Sequence, residues 1–409
     1  MKSFIYAFFI FYLSVKCQAQ NLPSLLLEKN INATFSILAY DENAQEWGIA
    51  VATNNLCVGN STIYIKPGIG AFSVIAETEP AYASNGFGYL LSGKSIEEAI
   101  NLTKEKDEEW FYRQVSGIDA NGNVYAFTGS ALKYWKGTSS HLTGDKFVVI
   151  GNQLADGVLE TMSETYKNAK GTLAEKLLKS LIAGQNTGGQ IQGKQSAALM
   201  VKGIHNEWYN NIDLRVDHAA EPFQDLQKLL NYHYGRIRLN QAVYAFRNKN
   251  AERGQKLLNE AKVMTEGWNG IYSKIAMAYL LYGEEKEAIV YIKKGLAENP
   301  AWKENLPAFY ILKNHPDLKG MIDENTFTEK DWSSALLMML NIGQTEKAVK
   351  ISEKLIQKYP TSLMYYLYGK SCFELGEQKK AVRQLEKSLQ LDESNEEAKR
   401  LLKALLIKE

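Results

Sequence analysis

Thr34 is the residue of this chain whose type and place could do chemistry. It opens the stretch TFSILAYDENAQEWGIAVAT, Thr34 to Thr53, in which two apolar runs flank a polar turn. A hydroxyl at the head of a strand becomes a nucleophile if the residues before it are removed, because the freed α-amine then lies beside it. Such an amine, with a pKa of about 7.7–8.0 in model peptides, can take the hydroxyl proton near neutral pH. The other reading is an edge strand that merely begins at Thr34. Ser36, two positions on and on the same strand face, is a weaker candidate because it never carries the amine. Lys66, before Pro67, could lower a neighbouring pKa or stand in solvent.

Asp213, Arg215 and Asp217 alternate, so as strand residues they share one face. On a buried face they would need pairing, as charged groups in active sites do; on an exposed face they are an ion-pair ladder. Gln195 and Ser196 end the Gly-rich loop that starts at Gly188 and enters a strand; its backbone groups could shape a pocket, against the default reading of a plain loop. The five histidines lack metal-ligand spacing such as HExxH; His141 or His218 could line a cleft, with ordinary surface or capping roles the favoured reading. With no P-loop, GxGxxG or GxSxG pattern either, the residues call for no cofactor and no metal.

The elements that must hold these residues change character near residue 236. Before it, strand patterns are expected near Thr34–Tyr40, Trp47–Thr53, Ala71–Ala76, Gly117–Asp119, Val124–Phe127, Phe147–Gly151, Ser196–Lys202 and Asp213–Asp217. Asp119-Ala120-Asn121-Gly122 is a hairpin turn signal. Ser95-x-x-Glu98 and Thr172-x-x-Glu175 are capping boxes that open helices. Strand pairs alternating with helix pairs predict an α+β, four-layer α/β/β/α sandwich.

After residue 236 helical patterns dominate and an internal repeat appears. Gly283, Gly343 and Gly376 each precede an alanine by five residues (Ala288, Ala348, Ala381). Pro300 and Pro360 follow the first two alanines by twelve, and Gly343 to Gly376 spans thirty-three. These offsets predict tetratricopeptide-like helix pairs, with an irregular stretch from Trp302 to Lys330 broken by Pro307 and Pro316.

The charge of +1 lacks the basic footprint of a nucleic-acid binder. Residues 1–19 read as a signal peptide: Lys2, an apolar run from Phe4 to Val15, and a cut before Gln20. Cys17 as a lipid-anchored cysteine is the less favoured reading, and no later stretch has the length of a transmembrane helix. The expected order is therefore a signal peptide (1–19), a spacer (20–33), an α+β domain (34–235) and a helical repeat domain (236–409). Export to the periplasm or the cell exterior follows. Cys57 and Cys372 fall in different domains, which argues against a disulfide scaffold.

The first region resembles the DUF1028 family, which is grouped by fold with the N-terminal nucleophile hydrolases. The matching segments include Thr34-Phe35-Ser36-Ile37, Trp47-Gly48-Ile49-Ala50-Val51-Ala52, Pro80-Ala81-Tyr82, Phe127-Thr128-Gly129, Gly151-Asn152-Gln153-Leu154, Gly193-Lys194-Gln195-Ser196-Ala197-Ala198 and Asp213-Leu214-Arg215-Val216-Asp217. The resemblance implies an amide-bond hydrolase with Thr34 as nucleophile and adds Asn152 to the binding candidates. The chain departs from the family pattern in carrying Val74-Ile75 where a Thr-Gln pair is usual, and in the segment that precedes Thr34. The tail resembles tetratricopeptide repeats, which implies a surface for an unknown protein or peptide. By analogy with relatives that carry a cell-wall-binding tail, a cell-wall or peptide substrate is expected. The alternative is a non-catalytic binding or scaffold protein.

Overall fold

A computed structural model describes residues 33–406. The signal-peptide, lipid-anchor and spacer readings up to residue 32 lie outside the described residues. The chain divides into two compact units between Leu229 and Leu230.

In the first unit β1 (Thr34–Asp41) lies between β2 (Glu46–Thr53) and β8 (Phe147–Leu154). The sheet continues through β9 (Ser196–Gly203) to β10 (Ile212–Val216) on one side and to β7 (Thr138–Gly144) on the other. The second sheet is β3 (Ile63–Lys66), β4 (Gly70–Ala76), β5 (Arg113–Asp119) and β6 (Val124–Thr128), paired in that order. The pairings in both sheets are antiparallel.

Period-2 alternation decides which side each residue faces. Leu38, Trp47, Ile49, Val51, Ile75, Ile118 and Ile150 form one buried cluster between the sheets. Each such side chain contributes on the order of 1.5–3 kcal/mol through burial. Alternate residues of β4 and β5, with Phe72, Val74 and Val115, face α1 (Ala81–Leu91) and α2 (Ile96–Lys104). On the other sheet, α3 (Val158–Asn168) and α4 (Leu173–Asn186) pack against β8, β1 and β2. The order is thus helix pair, sheet, sheet, helix pair. Gly48 lets α4 approach β2, since a Cβ there would collide with Leu177. Both expected capping boxes form, at α2 and α4.

Two strands went unseen in the pattern. β3 is a four-residue stretch, and β7 (TSSHLTG) is polar and half-exposed, as an edge strand can be. A third difference matters more for function. The strand expected to begin at Gly117 begins at Arg113, because Gln114 and Ser116 break the apolar pattern while pointing into the protein.

α5 (Pro222–Arg247) contains the division between the units. The second unit then runs α6 (Ala251–Met264), α7 (Tyr272–Tyr282), α8 (Glu285–Glu298), α9 (Glu329–Asn341), α10 (Thr345–Lys358), α11 (Ser362–Leu375), α12 (Gln378–Leu391) and α13 (Glu396–Leu406). The repeat offsets have a structural meaning. Ala288, Ala348 and Ala381 are fully buried between helices, and Gly376 ends α11 at φ +90°, a left-handed cap. Residues 300–326 form short 3-10 turns in place of a regular pair, with Trp302 packed over Gly295. Among the described residues no helix is long and apolar enough to cross a membrane.

Candidate functional site

Thr34 stands at the head of β1 on the face that looks between the sheets, and only 5 % of it is exposed. Its N–H donates to Asn152 Oδ1 on β8 at 3.1 Å, and its Oγ1 is 3.1 Å from Thr53 Oγ1 on β2. The Thr53 hydroxyl donates to the Ala33 carbonyl at 2.6 Å, so its one hydrogen is committed and the Thr34 hydroxyl is the donor of the pair. Asn54 N–H also reaches the Ala33 carbonyl, at 3.4 Å.

The bonds continue into the other sheet. Asn152 Nδ2 donates to Gln114 Oε1 at 2.9 Å. The two hydrogens of Gln114 Nε2 are shared among three acceptors, the Gly151 carbonyl (2.8 Å), Thr128 Oγ1 (3.1 Å) and the Ser140 carbonyl (3.3 Å). Thr128 Oγ1 lies 3.0 Å from His141 Nδ1, and burial holds the His141 pKa below its ordinary value, favouring the neutral ring. Two residues further along β1, Ser36 Oγ and Ser73 Oγ are 2.9 Å apart. Ser116, opposite Ser73 in the register, has a buried hydroxyl with no protein partner.

One end of the space between the sheets is therefore lined by hydroxyls and amides instead of aliphatic groups. Of these residues His141 alone carries an ionisable side chain, and it reaches Thr34 only through Thr128, Gln114 and Asn152.

The outer side of the same strand end carries charge. Arg113, next to Gln114 and pointing the opposite way, bonds Asp107 through Nε (3.0 Å) and Nη2 (3.2 Å), Glu109 (3.1 Å) and the Glu77 carbonyl (3.2 Å). The Tyr82 hydroxyl donates to Asp107 at 3.1 Å. Burial works to raise the Asp107 pKa, but the hydrogen bonds from Arg113 and the Glu109 N–H prevail and hold it below the usual carboxylate range. Burial first, and then Asp107, push the Tyr82 hydroxyl pKa up.

The expected site residues divide into three groups. Thr34, Ser36 and Asn152 come together in the network above. Gln195 and Ser196 sit beside it: Gln195 N–H donates to the Thr53 carbonyl (2.9 Å), and Ser196, paired with Thr53, donates from its hydroxyl to the Asn55 carbonyl (2.9 Å). Lys66, Asp213, Arg215 and Asp217 do not join it. Lys66 pairs with Gly70, which pairs with Asp119, whose carbonyl accepts from Trp47. Trp47 packs on Tyr40, six residues along β1 from Thr34 and so about 20 Å away at strand rise. Lys66 is exposed there, its Nζ 4.7 Å from the Phe87 ring centre.

The charged triplet is a surface feature. Arg215 pairs in register with Ala198, whose side faces between the sheets, but β10 is the edge of a six-stranded sheet facing one of four strands. Arg215 and Asp213 form an exposed 3.0 Å ion pair, and Asp217 lies beyond the strand in solvent. His218 is likewise exposed. Sequence reasoning missed Thr53, Ser73, Gln114, Ser116 and Thr128. The available signal was polar residues inside otherwise apolar strands, most plainly Gln114 and Ser116 in RQVSGID.

The fold and the site define a two-sheet α/β domain with a buried, neutral polar cluster between its sheets, followed by a region of paired helices. Residues 34–226 match the model of a family described as "Family of unknown function (DUF1028)", and residues 363–395 match a tetratricopeptide repeat. Among solved structures, protein SPO2555 from Silicibacter pomeroyi, described with the same family model, is 30% identical over 48% of this chain and 84% of its own, with a TM-score of 0.45. A form of MamA from Desulfovibrio magneticus RS-1 is 16% identical over 42% of this chain and 84% of its own, with a TM-score of 0.20. No curated protein matches. The chain belongs to the DUF1028 family and carries a tetratricopeptide-like region behind that domain.

Proposed function

We propose that the first domain is an N-terminal nucleophile type of amidohydrolase, a four-layer sandwich in which Thr34, once freed as the first residue, attacks an amide or peptide carbonyl. The observation that carries this reading is the bonding of Thr34: its nitrogen and its hydroxyl are each held by a buried side chain from a neighbouring strand, 3.1 Å away in both cases. That arrangement would keep amine and hydroxyl together at the head of β1. The amine would take the Oγ1 proton, Oγ1 would add to the carbonyl, and the proton would pass to the leaving nitrogen. Water would then hydrolyse the ester on Thr34. Removal of Ala33 would free the Thr53 hydroxyl and the Asn54 N–H, two donors for the oxyanion beside the nucleophile.

Export through residues 1–19, to the periplasm or the cell exterior, is part of the proposal and rests on the residue pattern alone. The helical region, as a tetratricopeptide-like surface, would bring a protein or peptide partner to the domain, with a cell-wall or other peptide as substrate. A second reading is a non-catalytic binding protein. It is favoured by the satisfaction of the Ala33 carbonyl, which accepts two bonds as an ordinary strand residue does. Two measurements decide. Intact mass of the exported protein should show a chain beginning at Thr34, and Thr34→Ala should abolish turnover in a panel of amide and peptide substrates. Turnover unchanged by Thr34→Ala removes the residue from the mechanism, and a chain still linked through Ala33 and inert on the panel leaves the binding reading.

A further inference from the structure

We propose that Gln114 is the positioning residue of this site: from the opposite sheet it decides which end of the Asn152 amide faces residue 34. The inference rests on the reading of Thr34 above for its functional meaning, but its geometry does not. Two of the groups around Gln114 Nε2 are backbone carbonyls, Gly151 at 2.8 Å and Ser140 at 3.3 Å, and a carbonyl oxygen only accepts. The nitrogen end of the Gln114 amide must therefore lie there, since its oxygen would meet two acceptors. Gln114 Oε1 is thereby turned to Asn152, and because it too only accepts, Asn152 must present Nδ2, as it does at 2.9 Å. That leaves Asn152 Oδ1 facing Thr34 N–H. Each amide could be rotated alone at no covalent cost; the two carbonyls forbid it for both.

Gln114 and Asn152 are both 0 % exposed, so solvent supplies no substitute partner and the sense is fixed. In a chain that begins at Thr34, an acceptor held at this point takes one amine hydrogen. The amine is thereby fixed in rotation, with its lone pair left for the Oγ1 side. A donor there, the flipped arrangement, would compete for that lone pair and disable the base. Gln114 thus acts on Thr34 through Asn152 without touching it.

The test reads the Thr34 N–H in the full chain, so that it does not depend on processing or on a substrate. Hydrogen exchange is followed by NMR on protein labelled with 15N-threonine and 15N-isoleucine. Gln114→Leu, which can make neither bond, should lower the protection of Thr34 roughly ten-fold, the size of effect expected from a lost buried hydrogen bond. Ile37, three residues along the same strand, should stay protected; a general loosening would lower both. Gln114→Glu gives a signature that packing alone does not produce. Its neutral carboxyl can accept from Asn152 and donate to Gly151, whereas the ionised form cannot donate. Protection of Thr34 should therefore be near wild type at low pH and fall as the carboxyl ionises, above the ordinary value of about 4.3 because the site is buried. Unchanged Thr34 protection in folded Gln114→Leu would overturn the proposal, as would equal loss at Thr34 and Ile37. If Gln114→Leu does not fold, Gln114→Glu decides: a Thr34 protection independent of pH while the carboxyl is shown by its carbon shift to titrate would overturn it. A protein that passes this test but shows no Thr34-dependent hydrolysis would keep Gln114 as the positioning residue and lose the hydrolase reading.

Discussion

The Arg113–Asp107 pair makes a quantitative prediction about the strand end that carries Gln114. At 3.0 Å and an effective dielectric of about 20, the two charges attract with about 5 kcal/mol before desolvation is counted. Both side chains are 9 % exposed, so desolvation offsets much of that gain. Removing one partner is then worse than removing both. Arg113→Met leaves a buried carboxylate held by the Tyr82 hydroxyl and the Glu109 N–H, and Asp107→Leu leaves a buried guanidinium with the partly exposed Glu109. Each single change should cost about 3–5 kcal/mol. In a domain of this size that corresponds to a Tm lower by roughly 6–20 °C. The double variant Arg113→Met/Asp107→Leu should be less destabilised than the sum of the singles by at least about 1.5 kcal/mol. Urea titration with calorimetry, resolving the transition of the first unit, measures all four corners of the cycle. A double variant additive to within about 0.5 kcal/mol would refute the argument that the pair is buried and mutually dependent. The pH dependence adds a second check. Because the folded-state pKa of Asp107 is depressed, the stability from this pair is fully present above the unfolded value of about 3.9 and lost as pH falls through the folded value. Asp107→Asn should flatten that part of the acid limb.

The remaining predictions concern packing and reactivity. Gly48→Val should destabilise the first unit by about 1–3 kcal/mol in urea unfolding, because the added methyls would meet Leu177, Leu173 and Val201. Since burial lowers the His141 pKa, the unfolded chain binds more protons below about 6.5, and stability should fall as pH drops from there until the folded value is passed. His141→Leu should remove that loss between pH 7 and 5.5, read as Tm. Burial pushes the Cys372 thiol up to about 11, so at pH 8 iodoacetamide should alkylate the half-buried Cys57 well before Cys372, followed by peptide mass mapping. Equal rates would contradict the packing of α11.

Several elements could be read from residues alone because their causes are local. The capping boxes of α2 and α4 place donor and acceptor three residues apart, and the turn after Asp119 is closed by that residue's own carboxylate on Asn121 and Asn123. The spacing of Gly376 and Ala381 reflects one helix end and one close helix approach, so it survives as a countable offset. Thr34 stood out for the same reason: its place at the head of an alternating strand needs no partner to be seen.

The rest was decided by pairings between residues far apart in the chain. Asn152 meets Thr34 across 118 positions and Gln114 across 38, through strand registers that no local pattern encodes. Gln114 and Ser116 interrupt an apolar alternation, which made the start of β5 look like loop until the facing sheet supplied their surroundings. Asp213 and Arg215 show the converse. Their alternation correctly put them on one face, but whether that face is buried depends on how far the opposite sheet extends, and it has four strands against six. Periodicity determines direction; coverage, and so the cost or usefulness of a polar side chain, is a property of the assembled layers.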